Sequence, residues 1–171
     1  MKSAEEIINS IPTFVEKILN ELNAIGFQLN DKFIDHVCFR VQTEEEYKFY
    51  KNEFSKFGEL LSEASISGRP ICTFKLFEAV KVGNRLIPCM EIPAPKTSKL
   101  YAIGLEHLEI VIDESFDSLS SKFPNQNWDW AGAHKEKNPE LAILLSDSLS
   151  AKFHHQSLEE VIRLEKMEEI L

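Results

Sequence analysis

Glycine and proline are scarce in this 171-residue chain, at 6 and 7, which excludes a collagen-like or low-complexity polymer. Cysteine is scarcer still. Cys38, Cys72 and Cys89 are odd in number, far apart and each inside an apolar strand-like run rather than a CxxC pair, so no disulfide framework is expected. No stretch approaches the ~18 consecutive apolar residues that a membrane span requires. The opening Met1-Lys2-Ser3-Ala4-Glu5-Glu6 has neither the basic segment nor the apolar core of a secretion signal. A cytoplasmic protein with no membrane partner is the expectation. Positive charge is also in deficit: 19 Lys and Arg against 28 Asp and Glu leave a formal charge of −9, a surface that repels phosphate backbones. No nucleic-acid partner is expected.

What is present is apolar and periodic. Residues of the AVILMFWYC set make up 43% of the chain, enough for one buried core at this length. Residues 3–25 read as an amphipathic helix, with Ile7, Ile11, Phe14, Val15, Ile18 and Leu22 at spacings of three and four. Ser3 and Glu6 form a capping box at its start, Pro12 is a point where it can break, and Gly26 stops it. A period-two strand from Phe33 to Val41 follows, then a helix from Thr43 that ends before Gly58. Three extended runs come next, about 59–66, 69–78 and 84–93, separated by turns at Ser67-Gly68 and Gly83-Asn84.

The pattern then restarts. Glu106-His107-Leu108-Glu109-Ile110-Val111-Ile112 matches Asp35-His36-Val37-Cys38-Phe39-Arg40-Val41 as acid, His, apolar, x, apolar, x, apolar. A short helix near 114–123, a loose stretch around Trp128-Asp129-Trp130, strands at 141–145 and 150–154, and a closing helix over 158–171 complete the second copy. The fold class expected is α+β, two tandem βαβββ modules with an added helix at each end. Residues 93–98 read as the linker between them.

Alternate side chains of a strand share a face. His36, Cys38 and Arg40 therefore oppose Val37, Phe39 and Val41, while His107, Glu109 and Val111 oppose Leu108, Ile110 and Ile112. In the strand over 84–93, Leu86, Met90 and Ile92 alternate against Arg85, Ile87, Cys89 and Glu91; in the last strand His154 opposes Ala151 and Phe153. Each module thus offers a His on its opening strand and a potential ligand on its closing strand: His36 with Glu91, and His107 with His154. Imidazole and carboxylate suit a divalent transition metal, Zn, Fe, Mn or Ni, and such a set leaves coordination positions open. His155, on the other face of its strand, and His134, in a loop, read as structural.

These residues, together with Glu63 to Leu76, Met90-Glu91-Ile92-Pro93 and Lys152-Phe153-His154, resemble the YecM family. That family belongs to the vicinal oxygen chelate superfamily of glyoxalases, bleomycin-resistance proteins and extradiol dioxygenases. The resemblance implies a single domain over 1–171, with an N-terminal helix (1–30), a first module (31–96), and a second module with its closing helix (97–171). The modules would form a cup-shaped mixed β-sheet around a metal, ligated by His36, Glu91, His107 and His154. The superfamily commonly has a Glu at the last place, so His154 is a departure.

The function that follows is a metal-dependent isomerase, lyase or oxidoreductase acting on a small oxygenated substrate. Glu109 is the candidate base, and Arg40, Lys75 and Lys152 are placed to hold a carboxylate or phosphate. A non-catalytic small-ligand module is the alternative. A weaker third reading makes Trp128 and Trp130 anchors for another protein. With both ligand pairs in one chain, a monomer or weak homodimer suffices.

Overall fold

The alternating run after the first helix forms β1 (Ile34–Arg40), and α2 (Glu44–Phe54) follows behind a capping box made by Thr43 and Glu46. The computed structural model describes residues 2–29, 32–96 and 102–168. The other elements are α1 (Ala4–Ala24), β2 (Gly58–Ile66), β3 (Arg69–Val82), β4 (Arg85–Pro93), β5 (Gly104–Val111), α3 (Phe116–Lys122), β6 (Trp128–Asp129), β7 (Leu141–Leu144), β8 (Ser150–His154) and α4 (Leu158–Glu168). The Ser67-Gly68 hairpin turns through two left-handed residues, φ 52° and 77°, the geometry that matches strand twist in a two-residue loop.

All eight strands join one mixed sheet in the order β2-β3-β4-β1-β5-β8-β7-β6. Each module runs its strands in the same relative order outward from a central seam. Within each, the first and fourth strands pair in parallel, β1 with β4 and β5 with β8, and the modules meet where β1 pairs antiparallel with β5. The sheet is the α+β architecture expected.

Face assignment follows the alternation over most of the sheet. Val37, Phe39, Leu108, Ile110 and Phe153 are buried under helices: Phe39 packs on Tyr50 of α2 at 4.8 Å, and Phe153 lies 5.1 Å from Phe27. The α1 helix lies against β3 of one module and β5 of the other, burying Ala4, Ile7, Ile11, Val15, Ile18 and Leu22. It continues unbroken through Pro12. A proline inside a helix costs ~3 kcal/mol, and six buried side chains, the larger ones worth about 1.5–3 kcal/mol each, exceed that cost.

Other details depart from the pattern. The stretch at Trp128-Asp129 is a two-residue strand, because Trp128 pairs with Ile143 and its indole Nε1 donates to the Phe123 carbonyl at 3.0 Å. Both tryptophans are half-buried and pack against the core. Leu86, expected on the helix-covered face, is 58% exposed, beside a break in the β3–β4 register between Lys75 and Val80. All three cysteines are free and buried. Part of the linker, Thr97 and Ser98, and the end of the closing helix, 169–171, lie outside the described residues. Among those described, no helix is long and apolar enough to cross a membrane.

Gly58 opens β2 where it crosses close to β3. A Cβ there would lie 2.7 Å from the Lys75 carbonyl oxygen, a backbone atom that cannot turn aside. Gly58→Ala is expected to cost ~1–3 kcal/mol, as overpacking does, and to lower the thermal midpoint by ~2–4 °C per kcal/mol. An unchanged midpoint in calorimetry would show that β2 shifts freely against β3.

Candidate metal centre

Two neighbouring cross-strand rows form the floor of the cup. One row runs Glu91 (β4), Cys38 (β1), His107 (β5), Ser150 (β8), and the next runs Cys89, His36, Glu109, Lys152. Residues opposite one another on paired strands share a face, so the rows bring distant positions together. Ligand atoms of His36, Glu91 and His107 all lie within 4.8 Å of one another. This is two imidazoles and one carboxylate, drawn from both modules.

The histidines are prepared alike. His36 Nδ1 donates to Asp35 Oδ1 at 2.8 Å, and His107 Nδ1 donates to Glu106 Oε1 at 3.2 Å. Each imidazole is therefore held by the acid that precedes it, which leaves Nε2 as the inward nitrogen. Both Nε2 atoms are buried with no hydrogen-bond partner, an expensive condition for a polar atom. A divalent metal satisfies both, and an imidazole whose other nitrogen donates to a carboxylate is the usual form of a metal-bound histidine. The donor set fits the metal that the fold resemblance implies.

Glu109 is central. Its Oε1 lies 3.5 Å from His36 Nε2, 3.3 Å from His107 Nε2 and 3.3 Å from Lys152 Nζ. Burial opposes the charge, yet His36, Lys152 and His107 hold its carboxyl well below the usual range. Lys152, also 2.8 Å from Glu140, stays protonated against burial because Glu109 and Glu140 face it. Burial likewise opposes charge on Glu106, but His107 and Arg40 hold it down to about 2. For His36, burial favours the neutral ring, and the carboxylates of Asp35 and Glu109 prevail and raise its pKa well above normal.

His154 is outside the three-residue cluster. It sits one row further along the same face, opposite Val111, with ring nitrogens 3.3 Å from Asp35 Oδ1 and 3.5 Å from Glu109 Oε2. Arg40 pairs with Glu106 at 2.9 Å and lines the cleft above the floor, as does Lys152. Lys75 continues the second row beyond Cys89, but its ammonium turns to Glu159 at the start of α4 and does not line the cleft. His155 stacks on Phe116 at 4.6 Å with Nε2 on the Glu114 carbonyl, away from the floor. The cleft encloses about 850 Å³, and Leu158, Val161 and Ile162 of α4 form an apolar wall over it.

Asp35 and Glu106 have a sequence signal, the repeated acid–His dipeptide, whose meaning appears only with the Nδ1 contacts. Asp35 has a second task without such a signal: its Oδ2 accepts the Leu158 N–H at 2.5 Å, tying the start of α4 to the floor.

Two βαβββ modules joined at a β1–β5 seam make the fold of the vicinal oxygen chelate proteins. Solved structures support the fold. Hydroxyglutarate synthase from Oryza sativa, in complex with 2-oxoadipate, superposes with a TM-score of 0.56 at 11% identity, covering 88% of this chain and 77% of that one. Methylmalonyl-CoA epimerase from Streptomyces coelicolor gives 0.53 at 10%, covering 74% and 95%. The chain itself belongs to the YecM family, whose model, described as YecM protein, matches residues 3–165. Protein YecM of Escherichia coli strain K12 is 28% identical over 177 residues, 95% of this chain and 94% of that protein. A structural-genomics structure, protein EC4020, reaches a TM-score of 0.75 at 26% identity, covering 96% and 98%.

The inward nitrogens and their supporting acids should separate in a metal titration. His107→Ala is expected to lower Zn(II) affinity by well over 100-fold, whereas Glu106→Gln should cost the ~10–100-fold typical of a group that only orients a ligand. His155→Ala should change nothing. Chelator competition on the three variants decides, and a large loss at His155 would contradict the face assignment of the closing strand.

Proposed function

We propose that this protein is a metal-dependent enzyme acting on a small oxygenated, anionic substrate, with His36, Glu91 and His107 as the metal ligands and Glu109 as the proton-moving group. The observation that carries this reading is that ligand atoms of His36, Glu91 and His107 lie within 4.8 Å of one another, with both imidazole Nε2 atoms buried and lacking a well-formed hydrogen bond even though Glu109 stands 3.3–3.5 Å away. A divalent metal bound there supplies Lewis acidity toward substrate oxygens. Three protein ligands leave coordination positions open, which distinguishes a reactive site from a closed structural one.

The chain's own residues do the rest. Asp35 and Glu106 fix the imidazole rings. Glu109 Oε1, within 3.5 Å of both Nε2 atoms, is placed to accept a proton from a carbon or hydroxyl adjacent to the polarised oxygen. Leu158, Val161 and Ile162 of α4 line one side of the cleft. Arg40 and Lys152 line the cleft and are placed to pair with an anionic group, such as the carboxylates of the 2-oxoadipate in the rice structure. The proposed ligands come from one chain, so a monomer holds a complete site. Three free buried thiols suit a reducing cytoplasm.

The reading predicts that Glu109→Gln retains metal and ligand while turnover falls by ~10²–10⁴-fold, the contribution of a positioned proton-transfer group. The measurement is product formation by metal-loaded protein across a panel of small 2-hydroxy and 2-oxo acids. Any ligand found in that panel should also raise the thermal midpoint, and only when metal is present. Ligand binding that survives complete metal removal, with no turnover by either protein, would instead establish a non-catalytic binding module.

A further inference from the structure

The seam imposes an internal symmetry that the ligand set breaks. On β1, the position two residues after His36 is Cys38, which faces Glu91; on β5, the position two residues after His107 is Glu109, which faces Lys152. Across the seam, His36 faces Glu109 as His107 faces Cys38. The counterpart of the Glu91 carboxylate is therefore the Lys152 ammonium, and His154 lies one row beyond it. The lysine side chain is turned into the site, with Nζ 3.3 Å from the Glu109 oxygen that also lies against both imidazoles, and 17% of it exposed toward the cleft. A protonated amine cannot ligate a metal. Relative to a carboxylate at this corner, it moves the local charge by two units in the positive direction.

We propose that Lys152 keeps the fourth corner of the metal site free of a protein ligand and receives there the carboxylate of the substrate, so that the substrate is a small acid bound through its carboxylate between the metal and the Lys152 ammonium. This rests on the metal reading given above and adds the substrate class and the residue that selects it. Glu140, 2.8 Å from Nζ, and Glu109 hold the ammonium in position, and Lys135, 3.0 Å from Glu140, offsets part of their negative charge. A carboxylate entering from the cleft meets a preset charge-assisted donor.

The test uses Co(II) as the metal, its visible absorption as one readout and chelator competition as the other. Glycolate is the acid probe, glycolamide its neutral analogue, and inorganic phosphate the rival anion. Co(II)-loaded wild type should bind glycolate at least about tenfold more tightly than glycolamide and more tightly than phosphate. Lys152→Met should keep Co(II) and lose about tenfold or more in glycolate affinity. Lys152→Glu should tighten Co(II) by about tenfold or more, because a fourth ligand, a carboxylate, is added and a positive charge removed, and should abolish glycolate binding. Wild type that binds Co(II) but does not distinguish glycolate from glycolamide, or prefers phosphate, overturns the assignment alone. So does Lys152→Met with undiminished glycolate affinity, or Lys152→Glu with unchanged Co(II) affinity. Wild type that binds no Co(II) overturns the metal reading and this inference with it. If either variant does not fold, Lys152→Gln replaces it, and the same loss of glycolate affinity is expected.

Discussion

The antiparallel seam between β1 and β5 is the constraint on which everything else depends. Neither strand is an edge: each is flanked by the parallel closing strand of its own module, so the register at the seam is fixed from both sides. A slip of one residue would turn both histidines from the concave face to the helix-covered face and bring Val37 and Leu108 out of the core. The apolar sides of these strands therefore enforce the geometry of the polar sides. Burying Val37, Phe39, Leu108 and Ile110 under helices sets where His36 and His107 point, and α1, lying against β3 and β5, spans both modules.

A floor built this way is electrostatically costly. Asp35, His36, His107, Glu109 and His154 are all at most 3% exposed, and each buried charge carries a desolvation penalty of several kcal/mol. Ion pairing recovers some of it, but apolar residues of similar size would stabilise the fold at least as well. Three of the imidazoles, His36, His107 and His154, still have buried nitrogens without a hydrogen bond. Stability alone gives no reason for such a floor. The proposed cation would give one, by converting the unsatisfied nitrogens and surplus carboxylates into ligands and counter-charges.

Much of this was legible in the chain. The acid–His–apolar repeat identified both opening strands, and the alternation in β4 put Glu91 on the histidine face, where its carboxylate does lie near both rings. The closing strand of the second module was not legible in the same way. Alternation puts Lys152 and His154 on one face and does not say which of them faces Glu109; that depends on the β5–β8 register, a tertiary fact. Residue type favours His154 as a ligand, while the register places Lys152 opposite Glu109 and His154 one row further on. The side chain of Lys75 was not legible for a related reason: the backbone puts it in the second row, but its long side chain pairs with Glu159 on α4, an element far away in sequence. The two-residue strand at Trp128 is too short to show any period, and Pro12 signals a break that burial of the α1 stripe overrides.

The same tertiary logic links the floor to its cover. Asp35 offers one carboxylate oxygen to His36 Nδ1 and the other to the first N–H of α4, where the helix dipole favours a negative charge. A single side chain thus orients a proposed ligand and anchors the helix whose Val161 and Ile162 wall the cleft. Lys75 with Glu159 adds a second tie at the same end of α4, and Lys137, 3.6 Å from Glu165, a third further along. The latter two are exposed pairs worth little each, whereas the Asp35 contact is buried and charge-assisted. Position of the cover and orientation of His36 are consequently not independent variables: a displacement of α4 that withdraws the Leu158 N–H leaves the Asp35 oxygen unsatisfied and alters the field at the imidazole it holds.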